Sequence, residues 1–379
     1  MNLNKSKLTP AFILALIAGI IFSIILLQKQ PDLYDHVLMS QRLINGDLHY
    51  ANFLYYLTIA VIAFFQPDII FLQISAIIVL TASVVYKYSL SLSFLQNDNL
   101  NHDQNSLNQY AWFALFLSIA SNFPVNLSAT WYLGQFPPNL WHNSTTIFLM
   151  PFALLLFFDA LKYLKQPTGN LLVKMSIWVI IGALIKPSFL FPFLPVFFLL
   201  LVFNFRFSAN FLKGLIPLFF GALGIAWVGI YNFITNTYNE GGGVEIAPFK
   251  VWSNWSEFIP LSILASLLFP IALSILNWND LKDKLAFRFA WFLMIVSMLV
   301  YSLFAEKGSN WIVVASNFSW QLIVSNFILF LICLKEALSI NENKLIFGFA
   351  VKKVLLLIFY AHVAMGILYL IKIPIFGYR

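Results

Sequence analysis

Apolar runs long enough to cross a lipid bilayer recur along this chain from Leu8 to Ile373, with short polar stretches between them. A helix needs about 20 such residues to span the hydrocarbon core. Of the 379 residues, 61% are hydrophobic and only 10% are charged, whereas an average soluble domain carries about 25% charged residues. The core of a water-soluble protein cannot absorb this excess of apolar side chains. We therefore predict a polytopic membrane protein, with membrane lipids among its partners.

Eleven runs are predicted to cross as helices of one all-α transmembrane domain that spans residues 1–379. They cover residues 8–27, 69–90, 110–124, 146–161, 175–188, 190–205, 214–235, 258–277, 288–304, 321–335 and 354–373. The first run follows Lys5 and Lys7 as a signal peptide would. No small-x-small cleavage site follows this run, so we expect it to remain as a span.

The run 51–65 decides the predicted orientation, because it is too short for a comfortable crossing and suits an interfacial segment. If it does not cross, most of the 22 basic residues, Lys87 among them, fall on the cytoplasmic side, as the positive-inside rule expects. If it crosses, the distribution reverses. We therefore predict a cytoplasmic N-terminus and four outward loops. These loops cover residues 28–68, 125–145, 236–257 and 305–320.

Charge and cysteine content exclude two function classes. The formal net charge is +7, but Lys and Arg lie singly between the spans and form no basic face, so a nucleic-acid partner is not predicted. The single cysteine, Cys333, lies inside a predicted span. We expect no disulfide framework and no thiolate metal site.

The first outward loop contains Asp32, Asp35 and His36, with His49 further along. On a helix, Asp32 shares a face with both Asp35 and His36. Such a group could accept a proton from a hydroxyl or hold a divalent cation such as Mg²⁺ or Mn²⁺. Since the histidines follow no recognised ligand spacing, no metal site is assigned. The alternative is a solvated loop in which Asp32 caps a helix.

Polar side chains in the later outward loops alternate with aromatic rings. Gln135, Asn139, His142 and Asn143 form one such group, and Glu306, Asn317 and Trp320 form another. Amides that satisfy hydroxyls beside flat apolar rings are typical of sugar recognition. The second group could close the site from the other side. For the aromatic residues, the alternative is an ordinary interfacial belt.

Lys186 ends an apolar stretch and precedes Pro187, which places it at the outward end of a predicted span. A cation at that depth is costly unless it is paired, and a phosphate group is a suitable partner. The alternative is that Lys186 snorkels into the lipid headgroups.

The order of these features resembles the GT-C superfamily of membrane glycosyltransferases, especially its polyprenol-phosphate-sugar-dependent, mannosyltransferase-like members. Three segments in residues 1–205 carry the resemblance, whereas residues 206–379 show only compatible topology. The segments are Asp32 with His36, Leu43 to Gly46 and Tyr50; Gly134-Gln135 with Asn139; and Gly182 to Pro187. His36 stands where the family usually has Tyr, and two prolines lengthen the second segment.

The resemblance implies a GT-C-like fold with interfacial helices in the first outward loop. It implies an inverting transfer of a sugar from a polyprenyl-phosphate donor to a hydroxyl of a glycan or lipid acceptor, at the outer face of the bacterial inner membrane. Asp32 would be the general base, with Asp35 as its substitute, and Lys186 would neutralise the leaving phosphate. Gln135, Asn139 and His142 would position the sugar or the acceptor.

Two other functions fit the sequence. A transporter or flippase of lipid-linked saccharides would also have many spans, but it should carry charged residues within them and pseudo-repeated halves. A polysaccharide polymerase uses similar donors, although such enzymes usually have a larger, arginine-rich outward loop.

Overall fold

The computed structural model describes residues 5–47, 50–97, 104–123, 134–234, 243–307, 317–346 and 348–377. The long helices are α1 (Lys5–Leu27), α4 (Ile69–Gln96), α6 (Ser144–Lys165), α8 (Leu190–Phe205), α9 (Ala209–Ile234), α11 (Ile259–Leu281), α12 (Leu285–Leu303), α13 (Trp320–Ser339) and α14 (Val351–Phe376). The shorter helices are α2 (Leu33–Ile44), α3 (Leu54–Ile62), α5 (Gln104–Ile119), α7 (Gly169–Ile185) and α10 (Lys250–Ser253). Two 3₁₀ turns, Pro187–Phe189 and Asn317–Ser319, lead into α8 and α13.

The chain is a multi-pass membrane protein of helical architecture. Within the described residues, nine helices are long and apolar enough to cross a membrane, and each matches a predicted span. The other two predicted spans, 110–124 and 175–188, correspond to α5 and α7. These helices have 16 and 17 residues, fewer than the about 20 that a full crossing needs.

Two helices form the centre of the bundle. In the most apolar part of α13, 78% of the residues are buried inside the protein, and in α6 the share is 72%, whereas in α9 it is 22%. Helix α9 therefore lies at the periphery, with side chains such as Phe219 and Trp227 exposed, as expected for a lipid-facing helix. Both central helices begin at the same end of the bundle, where the candidate site lies.

The run 51–65 does not cross the bundle. Its helix α3 has nine residues, or about 13 Å of length at 1.5 Å per residue. The Asn143 side chain donates to both carboxylate oxygens of Asp32 at 3.2 Å, so the residues on either side of α3, α4 and α5 share one end of the bundle. Helix α3 is not among the nine helices that are long and apolar enough to cross a membrane, which agrees with the predicted interfacial segment.

Small β-structures, which the all-α prediction did not include, join some of the loops. Strand β1 (Gly243–Ile246) pairs antiparallel with β2 (Phe304–Lys307). The short strands β3 (Leu345–Ile346) and β4 (Phe349–Ala350) form a hairpin. Because β1 and β2 come from two predicted outward loops, residues of all four such loops meet at the Asp32 end.

Helix α5 ends at Ile119, and buried, non-helical residues follow it to residue 123. Non-helical backbone at this depth must find hydrogen-bond partners within the protein. The Ser121 amide donates to the carbonyl of His362 on α14. Gly366, one turn further on, allows the close approach: a Cβ there would lie 1.8 Å from the Ile119 carbonyl oxygen. Any larger residue at 366 would push α14 away from the end of α5.

Candidate functional site

Asp32 lies at the centre of a polar cluster at the N-terminus of α2. Its backbone φ of 70° is rare for a non-glycine residue and costs roughly 1–3 kcal/mol. Its carboxylate accepts from Asn143 and lies 3.2 Å from His36 Nε2. The carboxylate is thus held firmly, while 21% of the side chain stays exposed, so another molecule can reach it.

Asn143 connects Asp32 to Lys186. It is the N-cap of α6, and its Oδ1 accepts from the Thr146 amide at 3.0 Å. The same oxygen accepts from Lys186 Nζ at 3.0 Å, and Nζ also donates to the Thr145 and Thr146 hydroxyls. Since a residue before proline disfavours the α conformation, α7 ends at Ile185 and Lys186 continues in extended backbone.

A second wall of the cluster comes from β2 and the start of α13. The Lys186 ammonium lies 4.4 Å from the centre of the Trp320 ring, a cation–π distance. Trp320 Nε1 donates to Asn317 Oδ1 at 3.3 Å, and Asn317 Nδ2 donates to both Glu306 oxygens at 2.9 and 3.1 Å. We call this connected set the Asp32 cluster; its members are Asp32, His36, Asn143, Lys186, Glu306, Asn317 and Trp320.

Charges in the cluster shift its carboxyl groups in opposite directions. Burial raises the pKa of Asp32, but the hydrogen bond from His36 and the positive charge nearby, that of Lys186 included, outweigh burial and hold the pKa below its ordinary 3.8. Burial raises the pKa of Glu306 above its ordinary 4.5, although Asn317 and Lys186 oppose this. At neutral pH, Asp32 is therefore a carboxylate that can accept a proton.

Burial lowers the pKa of the Lys186 amine to about 7, although the charges of Asp32 and Glu306 favour the ammonium form. Its charge therefore changes within the physiological pH range. An additional anion beside it would stabilise the charged form.

His142 also lies near the cluster. Its ring centre is 6.2 Å from that of Trp320, edge to face, and its Nδ1 is 3.3 Å from the Tyr369 hydroxyl on α14. His142 is buried. It influences Asp32 electrostatically.

A narrow apolar cleft, with no room for a water molecule, begins at Lys186 and lies between α6, α7 and the start of α8. Lys186 is the one charged residue in its lining. The other lining residues are Leu149, Phe152, Ala153, Leu156, Trp178, Gly182, Phe189 and Leu190. Lys186 thus places a cation next to apolar side chains, a combination that complements an anionic head on a hydrocarbon tail.

Four of the predicted site residues lie elsewhere or beyond the described residues. Asp35 is exposed, and its Oδ2 accepts from the Asp32 amide at 3.2 Å, so it caps α2. Gln135 is partly buried, and its Oε1 has no hydrogen-bond partner within the described residues. His49 lies outside those residues. The fourth, Asn139, belongs to a separate contact deeper in the bundle.

Asn139 bonds Lys87, which lies within α4 and is only 4% exposed. The Asn139 amide donates to the carbonyls of Leu117 and Ala120 at 2.7 and 2.9 Å, at the end of α5. We call Lys87, Asn139 and these two carbonyls the Lys87 clamp. Lys87 was counted with the cytoplasmic basic residues from its place in the sequence, and the structure shows that it is buried inside the bundle.

Sequence reasoning missed Tyr56 as well as the role of Lys87. The Tyr56 hydroxyl lies 2.9 Å from His36 Nδ1. The paired tyrosines 55 and 56 in a mostly apolar run were the available signal. A buried hydroxyl needs a partner, but the sequence does not indicate which one.

A divalent cation was left open by the sequence. Among the described residues, there is no group of three or more His, Cys, Asp or Glu side chains arranged to hold a metal ion. Lys186 itself places a positive charge beside Asn143 and Asp32.

Comparison with models of known protein families finds no match, and comparison with curated proteins finds none either. We therefore interpret the site from its geometry.

Proposed function

We propose that this chain is a GT-C-like membrane glycosyltransferase that moves a sugar from a polyprenyl-phosphate donor to a hydroxyl of a glycan or lipid acceptor. One observation carries the proposal: Asn143 bridges an accessible carboxylate, Asp32, and a lysine, Lys186, at the mouth of an apolar cleft. Glycosyl transfer from a lipid phosphate needs a base for the acceptor, a cation for the leaving phosphate and an apolar surface for the lipid.

The reaction divides between these groups. Asp32 takes the proton of the acceptor hydroxyl while the acceptor oxygen bonds to the anomeric carbon of the sugar. The bond between that carbon and the phosphate oxygen breaks, and its electron pair stays on the phosphate. Lys186 stabilises the charge that develops there. Attack opposite to the leaving group inverts the configuration at the anomeric carbon.

Trp320 offers an aromatic face, and Glu306 and Asn317 offer polar groups for sugar hydroxyls. His142 and Gln135 lie on the segment that precedes α6 and are suited to contact the sugar or the acceptor. With the N-terminus in the cytoplasm, this end of the bundle would face outward from a bacterial inner membrane. The apolar side chains that line the cleft would contact the first part of the polyprenyl chain.

The test replaces Asp32 and Asp35 separately by Asn in purified protein and measures transfer from a panel of polyprenyl-phosphate sugars to candidate acceptors. We expect Asp32→Asn to lower kcat by about 10²–10⁴-fold, as loss of a general base does. Asp35→Asn is the matched control, because it lies on the same helix outside the cluster, and its rate should stay within a few-fold. Thermal unfolding of each variant checks the fold.

A transporter or flippase of lipid-linked saccharides is the second candidate. Lys87 within α4 and the end of α5 inside the bundle favour it, because transporters use broken helices and buried charges near the membrane centre. Wild-type protein that binds lipid-linked sugar and transfers none would favour transport. Equal rates in wild type and both variants would rule out Asp32 as the base.

A further inference from the structure

His36 has a polar partner at each ring nitrogen. Nε2 lies 3.2 Å from Asp32 Oδ1, and Nδ1 lies 2.9 Å from the hydroxyl oxygen of Tyr56 on α3. The Tyr56 ring also stacks on the imidazole, with centres 5.6 Å apart and planes 27° apart. The imidazole is thus held between a carboxylate and a buried phenol, and neither ring nitrogen is left to contact a substrate.

The chemistry of these groups determines where the proton on the neutral ring lies. An ionised carboxylate can only accept a hydrogen bond, so the nitrogen that faces Asp32, Nε2, must carry the proton. Nδ1 then has a lone pair and accepts from the Tyr56 hydroxyl. The hydrogen bonds run in one direction, from Tyr56 to His36 to Asp32.

We propose that Tyr56 is a positioning residue, which holds the His36 ring in place through its hydrogen bond to Nδ1 so that Nε2–H orients Asp32 for proton abstraction. This inference rests on the proposed function. Because His36 occupies Oδ1, the proton of the acceptor hydroxyl goes to Oδ2 of Asp32. His36 keeps its own proton throughout and stabilises the carboxylate before the transfer.

Tyr55 provides a matched control on the same helix. Its ring meets the His36 ring edge to face, with centres 6.1 Å apart, and it is as buried as Tyr56. Its hydroxyl bonds neither ring nitrogen, since Asp32 and Tyr56 occupy both. Tyr55→Phe and Tyr56→Phe therefore remove the same group from neighbouring residues, and only one of these groups contacts His36 Nδ1.

The first test reads the tautomer directly and needs no transfer activity. Nitrogen-15 NMR of protein labelled at its five histidines distinguishes a protonated ring nitrogen from one with a lone pair, and His36→Asn identifies the His36 signals. We expect an unprotonated Nδ1 in wild type and in Tyr55→Phe. In Tyr56→Phe, Nδ1 should stay unprotonated, because Nε2 still faces Asp32, and its signal should move towards that of a lone pair without a hydrogen bond, because its donor is lost. A protonated Nδ1 in wild type, or no change in Tyr56→Phe, would overturn the proposal.

The second test measures coupling. Tyr56→Phe should lower kcat about tenfold, the size of one hydrogen bond of typical strength, and leave KM unchanged, because Tyr56 acts on Asp32 and not on the substrate. In a His36→Ala background, Tyr56→Phe should cause no further loss, since the two residues act in series. A tenfold loss in both backgrounds would show that Tyr56 acts independently of His36. Failure of the transferase proposal would be recognised separately, as absence of transfer by wild type with the expected NMR spectrum.

Discussion

Two lysines in this protein, the partly buried Lys186 and the buried Lys87, have similar immediate contacts. Lys186 donates to the side-chain oxygen of Asn143, and Lys87 donates to that of Asn139, four residues earlier in the same segment. Each ammonium also lies 4.4 Å from the centre of an aromatic ring of α13. The two sites differ in what lies beyond the asparagine.

Beyond Asn143 is the Asp32 carboxylate, and the site is open to other molecules on one side. Beyond Asn139 are the last carbonyls of α5, which carry the negative end of a helix dipole. Lys87 is about 27 Å along α4 from Ile69, at 1.5 Å per residue. A lysine beside an accessible carboxylate can serve chemistry, whereas one that faces a helix end inside the bundle serves the fold.

The largest expected effect concerns Lys186. Lys186→Met keeps most of the side-chain volume and removes the charge that would stabilise the leaving phosphate. We expect kcat/KM to fall about 10²–10³-fold, as after loss of one group that stabilises developing charge, with little change in thermal unfolding. A rate within threefold of wild type would show that the leaving phosphate is neutralised elsewhere.

The Lys87 clamp should respond in the opposite way. Asn139→Ala leaves two buried carbonyls and the Lys87 ammonium without their partner, each at a cost of about 1–3 kcal/mol. Lys87→Met leaves only Asn139 Oδ1 without its donor, so its effect on unfolding should be smaller. Both variants should unfold at lower temperature in detergent, while transfer per folded molecule stays within a few-fold.

The matched comparison is between Lys87→Met and Lys186→Met, measured for unfolding temperature and for transfer. If Lys87→Met abolished transfer without lowering the unfolding temperature, the assignment of the two lysines would be wrong. That result would favour a transport role for Lys87.

The sequence predicted much of the helical architecture, because apolar runs and their length depend on local composition. It also predicted Asp32, Asn143 and Lys186, since each stands next to the end of an apolar run where a polar residue is unexpected. The short length of the run 51–65 predicted an interfacial segment, and its helix α3 has only nine residues. These are all local properties of the chain.

Contacts between distant residues were beyond such reasoning. Lys87 sits in an apolar helix near its end and resembles an ordinary flanking lysine, yet its partner is 52 residues away. The phenol of Tyr56 meets His36 across the turn between α2 and α3. In the sequence, Asp32 and Asp35 are equivalent positions on one helix face. Their different roles depend on the backbone conformation at the start of α2, where the Asp35 side chain accepts from the Asp32 amide and caps the helix.

The smallest expected effect is a pH dependence that distinguishes the two lysines. Because burial lowers the pKa of Lys186 to about 7, its ammonium form decreases as pH rises above 7. The charged fraction drops from about one half at pH 7 to about one tenth at pH 8, so kcat/KM should fall about fivefold over that interval.

Lys186→Arg keeps its charge throughout this range, so the decline should disappear in that variant even if its maximal rate is lower. Lys87→Met should keep the wild-type decline, because Lys186 is intact. A decline that persists in Lys186→Arg would assign the titration to another group and remove the evidence that the Lys186 charge is needed for transfer.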